Sequence, residues 1–261
     1  MSSADSLLVR VSTGRGVATL TLDSPHNRNA LSTPLMTQLL RALEAAVADP
    51  AVRVIVLSHT GPTFSSGADL KETADAYASG RLPAAMLGDV LAALWECPKP
   101  VVARVAGPAR AGGLGLIAAA DIAICAEDAT FAFTEVRLGV IPAVISSTVL
   151  RRLGPRAAAE LYLTGDVFDG RRAAQVGLVS AAAPRDALDE TVAAYCDALV
   201  RGAPGALAGA KELLRRTPAA TFRDDVAALS ELSVGYFLSD EGREGVRAYR
   251  EKRAAAWVPR D

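Results

Sequence analysis

Two short glycine-bearing stretches and one downstream carboxylate carry the chemistry this chain can do. The first stretch is Phe64-Ser65-Ser66-Gly67-Ala68-Asp69-Leu70, and the second is Gly107-Pro108-Ala109-Arg110-Ala111-Gly112-Gly113-Leu114-Gly115. Each comes after an apolar run that reads as a buried strand, Val52 to Leu57 and Val101 to Val105, and each leads into a helix-like segment. Two strand ends, each continued by N–H groups without bulky side chains, can aim two donors at one oxygen. Such a pair stabilises negative charge developing on a carbonyl oxygen. Glu135 is the candidate proton handler. It stands after Phe131 and Phe133 at spacing two, so a strand reaching that far puts the carboxylate on the face of two aromatic rings. Burial there raises a carboxyl pKa and suits acid–base work. The competing reading is a surface glutamate paired with Arg137, and periodicity does not choose between them.

Other chemistries fit less well. Gly113-Leu114-Gly115-Leu116-Ile117-Ala118 matches a dinucleotide fingerprint by letter, but the first glycine stands well beyond the end of the strand and the next strand ends in Cys125-Ala126 rather than an acid. Close helix packing is the plain alternative for these glycines. No Gly-Lys-Ser/Thr comes next to make a phosphate loop. Ser66 lies outside any G-x-S-x-G elbow, and the two histidines, His26 and His59, offer it at best a distant base. Two histidines and three cysteines show no zinc spacing.

Composition sets the frame. The chain has 261 residues, 51% hydrophobic and 22% charged, enough for a sizeable core. Its 28 Lys plus Arg against 29 Asp plus Glu give a net charge of −1, with no basic excess for nucleic acid or an anionic membrane. Cys97, Cys125 and Cys196 are odd in number and scattered, which argues for a reducing cytoplasm rather than a disulfide framework. Met1 to Asp5 has no signal-peptide pattern, and the longest apolar stretch is too short to span a bilayer.

Several elements must position this chemistry. Leu8 to Val11 and Val17 to Leu22 form a hairpin around Gly14-Arg15-Gly16. Ser32 caps a helix that runs to Asp49-Pro50. Strand, helix near Pro83 to Trp95, and strand then alternate, which predicts a β/α architecture with mostly parallel strands. Gly112 to Ala120 is apolar all round and reads as a buried helix. Strands Ile122 to Ala126 and Thr130 to Phe133 come next. Beyond Ala143 the chain reads as helices, interrupted by a short strand at Leu178 to Ala182.

Taken together, these residues resemble the enoyl-CoA hydratase/isomerase (crotonase) superfamily along nearly the whole chain. The resemblance rests on Asn29-Ala30-Leu31-Ser32, the Phe64 to Lys71 stretch, the glycine-rich helix entry, Asp121-Ile122, Thr134-Glu135-Val136, Leu138 to Pro142, Ala174 to Val179 and Glu251-Lys252-Arg253. It implies an α/β fold: a ββα spiral core over residues 1–200 binding acyl-CoA, and a C-terminal α-helical oligomerisation region over residues 201–261. It also implies a homotrimer or a dimer of trimers, an acyl-CoA thioester as substrate, and no cofactor beyond the coenzyme A of that substrate. The matching positions put the two oxyanion donors on the backbone N–H groups of Ser66 and Gly112, and CoA contacts on Arg28, Ala30, Ser66, Gly67, Ala68, Asp69, Leu70 and Lys252. For Lys252, a solvated face of the last helix is the alternative.

Departures from the family pattern bear on the reaction. Two-carboxylate hydratases resemble this chain except that a second glutamate stands where it has Gly115. Ala106 replaces a usual asparagine, and Ala111 replaces a glycine. The run Ile141-Pro142-Ala143-Val144-Ile145-Ser146 resembles branches of methylglutaconyl-CoA hydratases and related branched or isoprenoid enoyl-CoA enzymes. Hydration of a 2-enoyl-CoA is the leading expectation. Isomerisation by a single glutamate, decarboxylation or C–C hydrolysis of a CoA thioester, and acyl-CoA binding without catalysis are the alternatives. Two positions sharpen the choice. Arg110 either meets an acidic acyl tail or is an ordinary satisfied arginine, and a gain of crotonyl-CoA hydration on replacing Gly115 by Glu would confirm the alignment of the missing acid.

Overall fold

The computed structural model describes residues 7–69, 71–72, 74 and 84–259. Leu70, one of the expected CoA contacts, lies outside the described residues, as do residues 73 and 75–83. The hairpin forms as expected from β1 (Val9–Gly14) and β2 (Val17–Leu22), paired antiparallel. After it, β3 (Val54–His59), β4 (Val101–Val105), β6 (Ile122–Ala126) and β9 (Ala181–Ala183) add in parallel, giving the order β1-β2-β3-β4-β6-β9. Parallel strands need crossovers. These are α1 (Thr33–Ala48), α2 (Ala84–Glu96) and α3 (Gly112–Ala119).

Ser32 caps α1 as its type predicts, its Oγ accepting from the Leu35 N–H. Every residue of α3 is buried. No polar side chain lies along it, so it belongs between sheet and helices, where its leucines and isoleucine each contribute ~1.5–3 kcal/mol by leaving water. At its C-terminus, Arg152 donates to the carbonyls of Ala118 and Ala120, at 3.0 and 2.8 Å. The end of the helix left open to a ligand is therefore the N-terminal one.

A second, small sheet was not foreseen as a unit. It joins β5 (Ala109–Arg110), β7 (Thr130–Ala132) and β8 (Phe168–Asp169), β5 and β7 running parallel. Two of these strands have only two residues, too few for an alternating pattern to register. The remaining helices are α4 (Ala143–Val149), α5 (Pro155–Thr164), α6 (Gly170–Gln175), α7 (Leu188–Val200), α8 (Pro204–Arg215), α9 (Phe222–Leu238) and α10 (Asp240–Glu251). The strand expected at Leu178 to Ala182 begins only at Ala181. Among the described residues no helix is long and apolar enough to cross a membrane, and no group of side chains could hold a metal ion. Cys97, Cys125 and Cys196 are free and buried.

Asn29 stitches the loops. Fully buried, it accepts from the Ser24 N–H at 2.7 Å and donates to the carbonyls of Thr60 and Thr63 at 3.0 and 2.8 Å. Each of these groups loses its partner if the amide goes, and a buried unsatisfied group costs ~1–3 kcal/mol. Asn29→Ala is expected to destabilise the fold by about 3 kcal/mol in a denaturant titration, with the loop after β3 losing amide-exchange protection first.

Candidate active site

Three short segments meet side by side, all running the same way. Ser65 bridges Ala109 in parallel, and Ala109 and Arg110 pair in parallel with Phe131 and Ala132. The bonds between them are close: Phe64 N–H to Pro108 O at 2.9 Å, Arg110 N–H to Ser65 O at 3.0 Å, and Ala111 N–H to Ala132 O at 3.4 Å. Because the segments run in one direction, their continuations all emerge at one edge. The loop Ser66–Asp69, the start of α3 at Gly112, and the turn that opens at Glu135 lie together there.

Glycine is required at the crossing. A Cβ on Gly67, whose φ is +87°, would lie 2.8 Å from the Ala111 Cβ, 3.0 Å from Arg110 O and 3.4 Å from the Gly112 nitrogen. A Cβ on Gly112 would meet Leu31 Cδ1 at 2.8 Å. The two chains approach at backbone distance because neither carries a side chain. Ala111, at φ 47° and ψ −118°, occupies a region that L-residues rarely adopt, and the strain turns the chain into α3.

The donors are not the pair expected. The Ser66 N–H donates to the Arg28 carbonyl at 3.0 Å, which removes it from the site. The Gly67 N–H is held by the Ser65 Oγ at 3.2 Å. The next amide, Ala68, has no acceptor among the described residues and lies exposed beside the Gly112 approach. Gly112 N–H, at the first turn of α3, is likewise without an acceptor among the described residues. The loop thus offers its donor two residues later than motif matching placed it. Leu31 fixes this register, donating to Gly67 O at 2.8 Å and bridging Ala68. Asp69 turns its carboxylate back onto the amides of Lys71 and Glu72, closing the loop rather than facing the edge.

Glu135 is buried, and the reason differs from the sequence expectation. Strand β7 ends at Ala132, and Glu135 opens a single 3-10 turn, Glu135–Leu138. It shares no strand face with the phenylalanines; the turn itself folds the carboxyl inward. Its Oε2 is buried and has no hydrogen-bond partner among the described residues. Desolvation raises the pKa above the ordinary glutamate value, opposed in part by a bond to its own N–H. The alternative pairing fails, because Arg137 binds Asp166 at 2.5 Å.

The other singled-out residues are arranged around this edge or away from it. Arg28 and Ala30 flank Asn29; Arg28 is exposed and Ala30 buried. Arg110 folds onto β7, donating to Ala109 O, Thr130 O and Thr130 Oγ1, which favours the satisfied arginine of its two readings. His59 ends β3 with its ring engaged by the Ala106 N–H at 3.1 Å and set edge-on to Phe64, and burial lowers its pKa; it is no partner for Ser66. Lys252 is exposed at the C-cap of α10, which packs chiefly on α9, and is not brought to the site within the chain. Ser65 escaped the sequence reading: fully buried, its Oγ donates to Asn29 O at 2.8 Å and holds the Gly67 amide. A serine between an aromatic and a glycine carries no period that would have flagged it.

Gly115 is covered. A Cβ there would meet Ile145 Cγ2 at 2.6 Å, Ile145 Cβ at 3.0 Å and Leu91 Cδ2 at 3.3 Å. Thr148 Oγ1 also donates to Gly115 O at 3.2 Å, pinning α4 to α3. A glutamate at 115 therefore needs Ile145 to give way before it can reach the position of a second acid.

With this geometry established, comparison with known proteins is direct. The sequence profile of the enoyl-CoA hydratase/isomerase family matches residues 12–260. The chain is 32% identical over 248 residues to the 2,3-dehydroadipyl-CoA hydratase of Escherichia coli K12, covering 93% of this chain and 95% of that one. Among solved structures, an enoyl-CoA hydratase from Mycobacterium avium is similar at 45% identity with a TM-score of 0.73, covering 98% of this chain and all of the other. Pseudomonas aeruginosa AtuE is similar at 34% identity with a TM-score of 0.90, covering 96% and 99%.

The buried carboxyl makes a stability prediction. Because the folded-state pKa of Glu135 is raised, the native state holds its proton to higher pH than the unfolded chain does, and stability falls as pH climbs from the ordinary value of 4.5 through the folded one. Glu135→Gln is expected to raise Tm at pH 8, with the gain vanishing below pH ~4 where both states are protonated. Calorimetry across that range checks the sign.

Proposed function

The chain belongs to the enoyl-CoA hydratase/isomerase family, and within its enoyl-CoA hydratase-like activity we propose that Glu135 is the one carboxylate that moves the proton while the Gly112 and Ala68 amides hold the thioester oxygen. The observation that carries this is the buried Oε2 of Glu135, without a partner among the described residues, at the same strand edge as two amides without acceptors among them.

In the addition, the water oxygen bonds to C3 of the 2-enoyl thioester as Glu135 takes one water proton. The C2–C3 π electrons pass to the thioester oxygen, where two N–H donors and the N-terminal end of α3 stabilise the charge. The enolate then collapses, and Glu135 returns its proton to C2, leaving a 3-hydroxyacyl-CoA. A site deprived of one such donor typically slows by ~10²–10³-fold. The raised pKa of Glu135 keeps the carboxyl poised to give back what it takes. Exposed Arg28, whose carbonyl holds the Ser66 amide, is the cation we assign to the anionic coenzyme A. Lys252 would serve a neighbouring copy. Leu138, Val140, Ile141, Leu163 and Val167 are large exposed apolar residues on the turn and helix near Glu135, and their burial in a trimer is the assembly we favour.

A second reading has a specific support. Ile145 over Gly115 leaves one carboxylate, and one carboxylate suffices to carry a proton from C4 to C2, or back, in an enoyl isomerisation. Ultraviolet absorbance decides between them, falling when a conjugated enoyl thioester is hydrated and rising when a 3-enoyl thioester becomes conjugated. Glu135→Gln is expected to lower turnover at least ~10²-fold while CoA-ester binding, read by calorimetric titration, persists. Wild-type turnover in that variant would refute the assignment.

Packing around Gly115 generates a separate expectation. Gly115→Glu alone should be poorly folded, since its Cβ meets Ile145 at 2.6 Å. Combined with Ile145→Ala it should fold, recovering most of a loss of about 1–3 kcal/mol typical of overpacking. Paired thermal melts of the single and double variants test this.

A further inference from the structure

Among the described residues, the helix α5 packs on the Glu135 turn, and its Tyr162 is close enough to feel the Glu135 charge. α4 contributes Ser146 and α5 contributes Tyr162, with Ser146 Oγ and Tyr162 OH 3.3 Å apart. Their protons can be placed. Ser146 Oγ–H donates to Pro142 O at 2.7 Å, so its oxygen is the acceptor for the Tyr162 hydroxyl. The lone pairs of the Tyr162 oxygen remain for another donor. The phenol is held in place: Phe133, two residues before Glu135, packs on it with ring centroids 4.6 Å apart. Burial and the nearby Glu135 charge push the phenol above its ordinary value. It is thus a neutral hydroxyl wherever the enzyme works.

Two facts make this pair matter. The Oε2 of Glu135 is buried and has no partner among the described residues. On α3, the position that a second acid would use is closed by Ile145 and Leu91. A water poised between an acid and hydrocarbon alone would be held at one point only. A second polar contact is needed to fix its direction, since orientation is itself a large part of catalysis.

We propose that the Ser146–Tyr162 hydroxyl pair positions the water that Glu135 deprotonates, completing a one-carboxylate hydration site. One water hydrogen points to the Tyr162 oxygen and the other to Glu135 Oε2, leaving a lone pair for C3. Glu135 takes its proton as the C–O bond forms, and the hydrogen on Tyr162 stays on the product hydroxyl. Ser146 acts through Tyr162, so both are positioning residues. The proposal rests on the hydration reading above.

The test uses the full-length enzyme with crotonyl-CoA for hydration and butyryl-CoA in D2O for exchange of the C2 proton. Exchange needs Glu135 and the amides but no positioned water. Tyr162→Phe keeps the ring on Phe133, and Ser146→Ala removes the acceptor. Each is expected to lower hydration kcat about tenfold, the scale of one neutral hydrogen bond lost in the transition state, with KM and exchange changed by less than about twofold. Ser146→Thr, which keeps the hydroxyl, should recover hydration. Hydration and exchange falling together would mean a merely structural role and overturn the proposal, as would unchanged hydration in both variants. A wild-type enzyme that exchanges the C2 proton but hydrates no enoyl-CoA would instead refute the hydration reading itself, and this inference with it.

Discussion

Everything at the candidate site depends on three short segments lying in parallel register. Ser65, Ala109 and Phe131 stand abreast, joined by bridges in one direction. In an antiparallel arrangement, one of the continuations would leave by the opposite edge, and the loop amide, the helix start and the glutamate could not share a space. Parallel pairing needs long connections, which the chain supplies as α2 and the α3–β6 return. The polypeptide between the site residues is therefore the price of their convergence.

Electrostatics and sterics agree at that edge. α3 is wholly apolar, so its peptide dipoles run through a medium that screens them little. Arg152 satisfies its terminal carbonyls, while Gly112 leaves an N–H open at the other end. The same absence of side chains that makes α3 pack all round lets Gly67 approach it. Ala111 holds a conformation better suited to glycine. Local strain of ~1–3 kcal/mol survives only where surrounding bonds over-determine it, and here the Ala132, Ser65 and Asn29 bonds do so.

Much of this is legible in the residue pattern, and the limits have physical causes. Apolar runs announce β4 and β6 because buried parallel strands lack alternation but are bounded by turn residues. The buried helix α3 is evident from its lack of any polar face. Strands β5 and β8 are not, because two residues carry no periodicity. Periodicity leaves Glu135 open between a buried and a surface acid, because its burial comes from a 3-10 turn and not from a strand face. Motif matching picks Ser66 as the donor, yet which amide of a loop stays open depends on hydrogen bonds from Arg28, Leu31 and Ser65, two of them remote in sequence. The family itself is readable because the order of many weak motifs survives even where their geometry cannot be inferred.

Gly115 and the Ile141–Ser146 run look like two unrelated departures from a pattern. In the folded chain they are one exchange of volume, since Ile145 reaches over Gly115 and Leu91 closes the remaining gap. Neither change makes sense alone: a glycine without the isoleucine leaves a void beside the reacting carbons, and an isoleucine above a glutamate does not fit. A void of that kind costs in proportion to its volume, so the pair is coupled through packing. The result is hydrocarbon packed over Gly115, while Glu135 is a buried acid. Among the described residues, the proton affinity of Glu135 is raised by burial and opposed by its own amide. Any partner for the attacking water must then be neutral, and Ser146, the next residue of the same run, carries a hydroxyl.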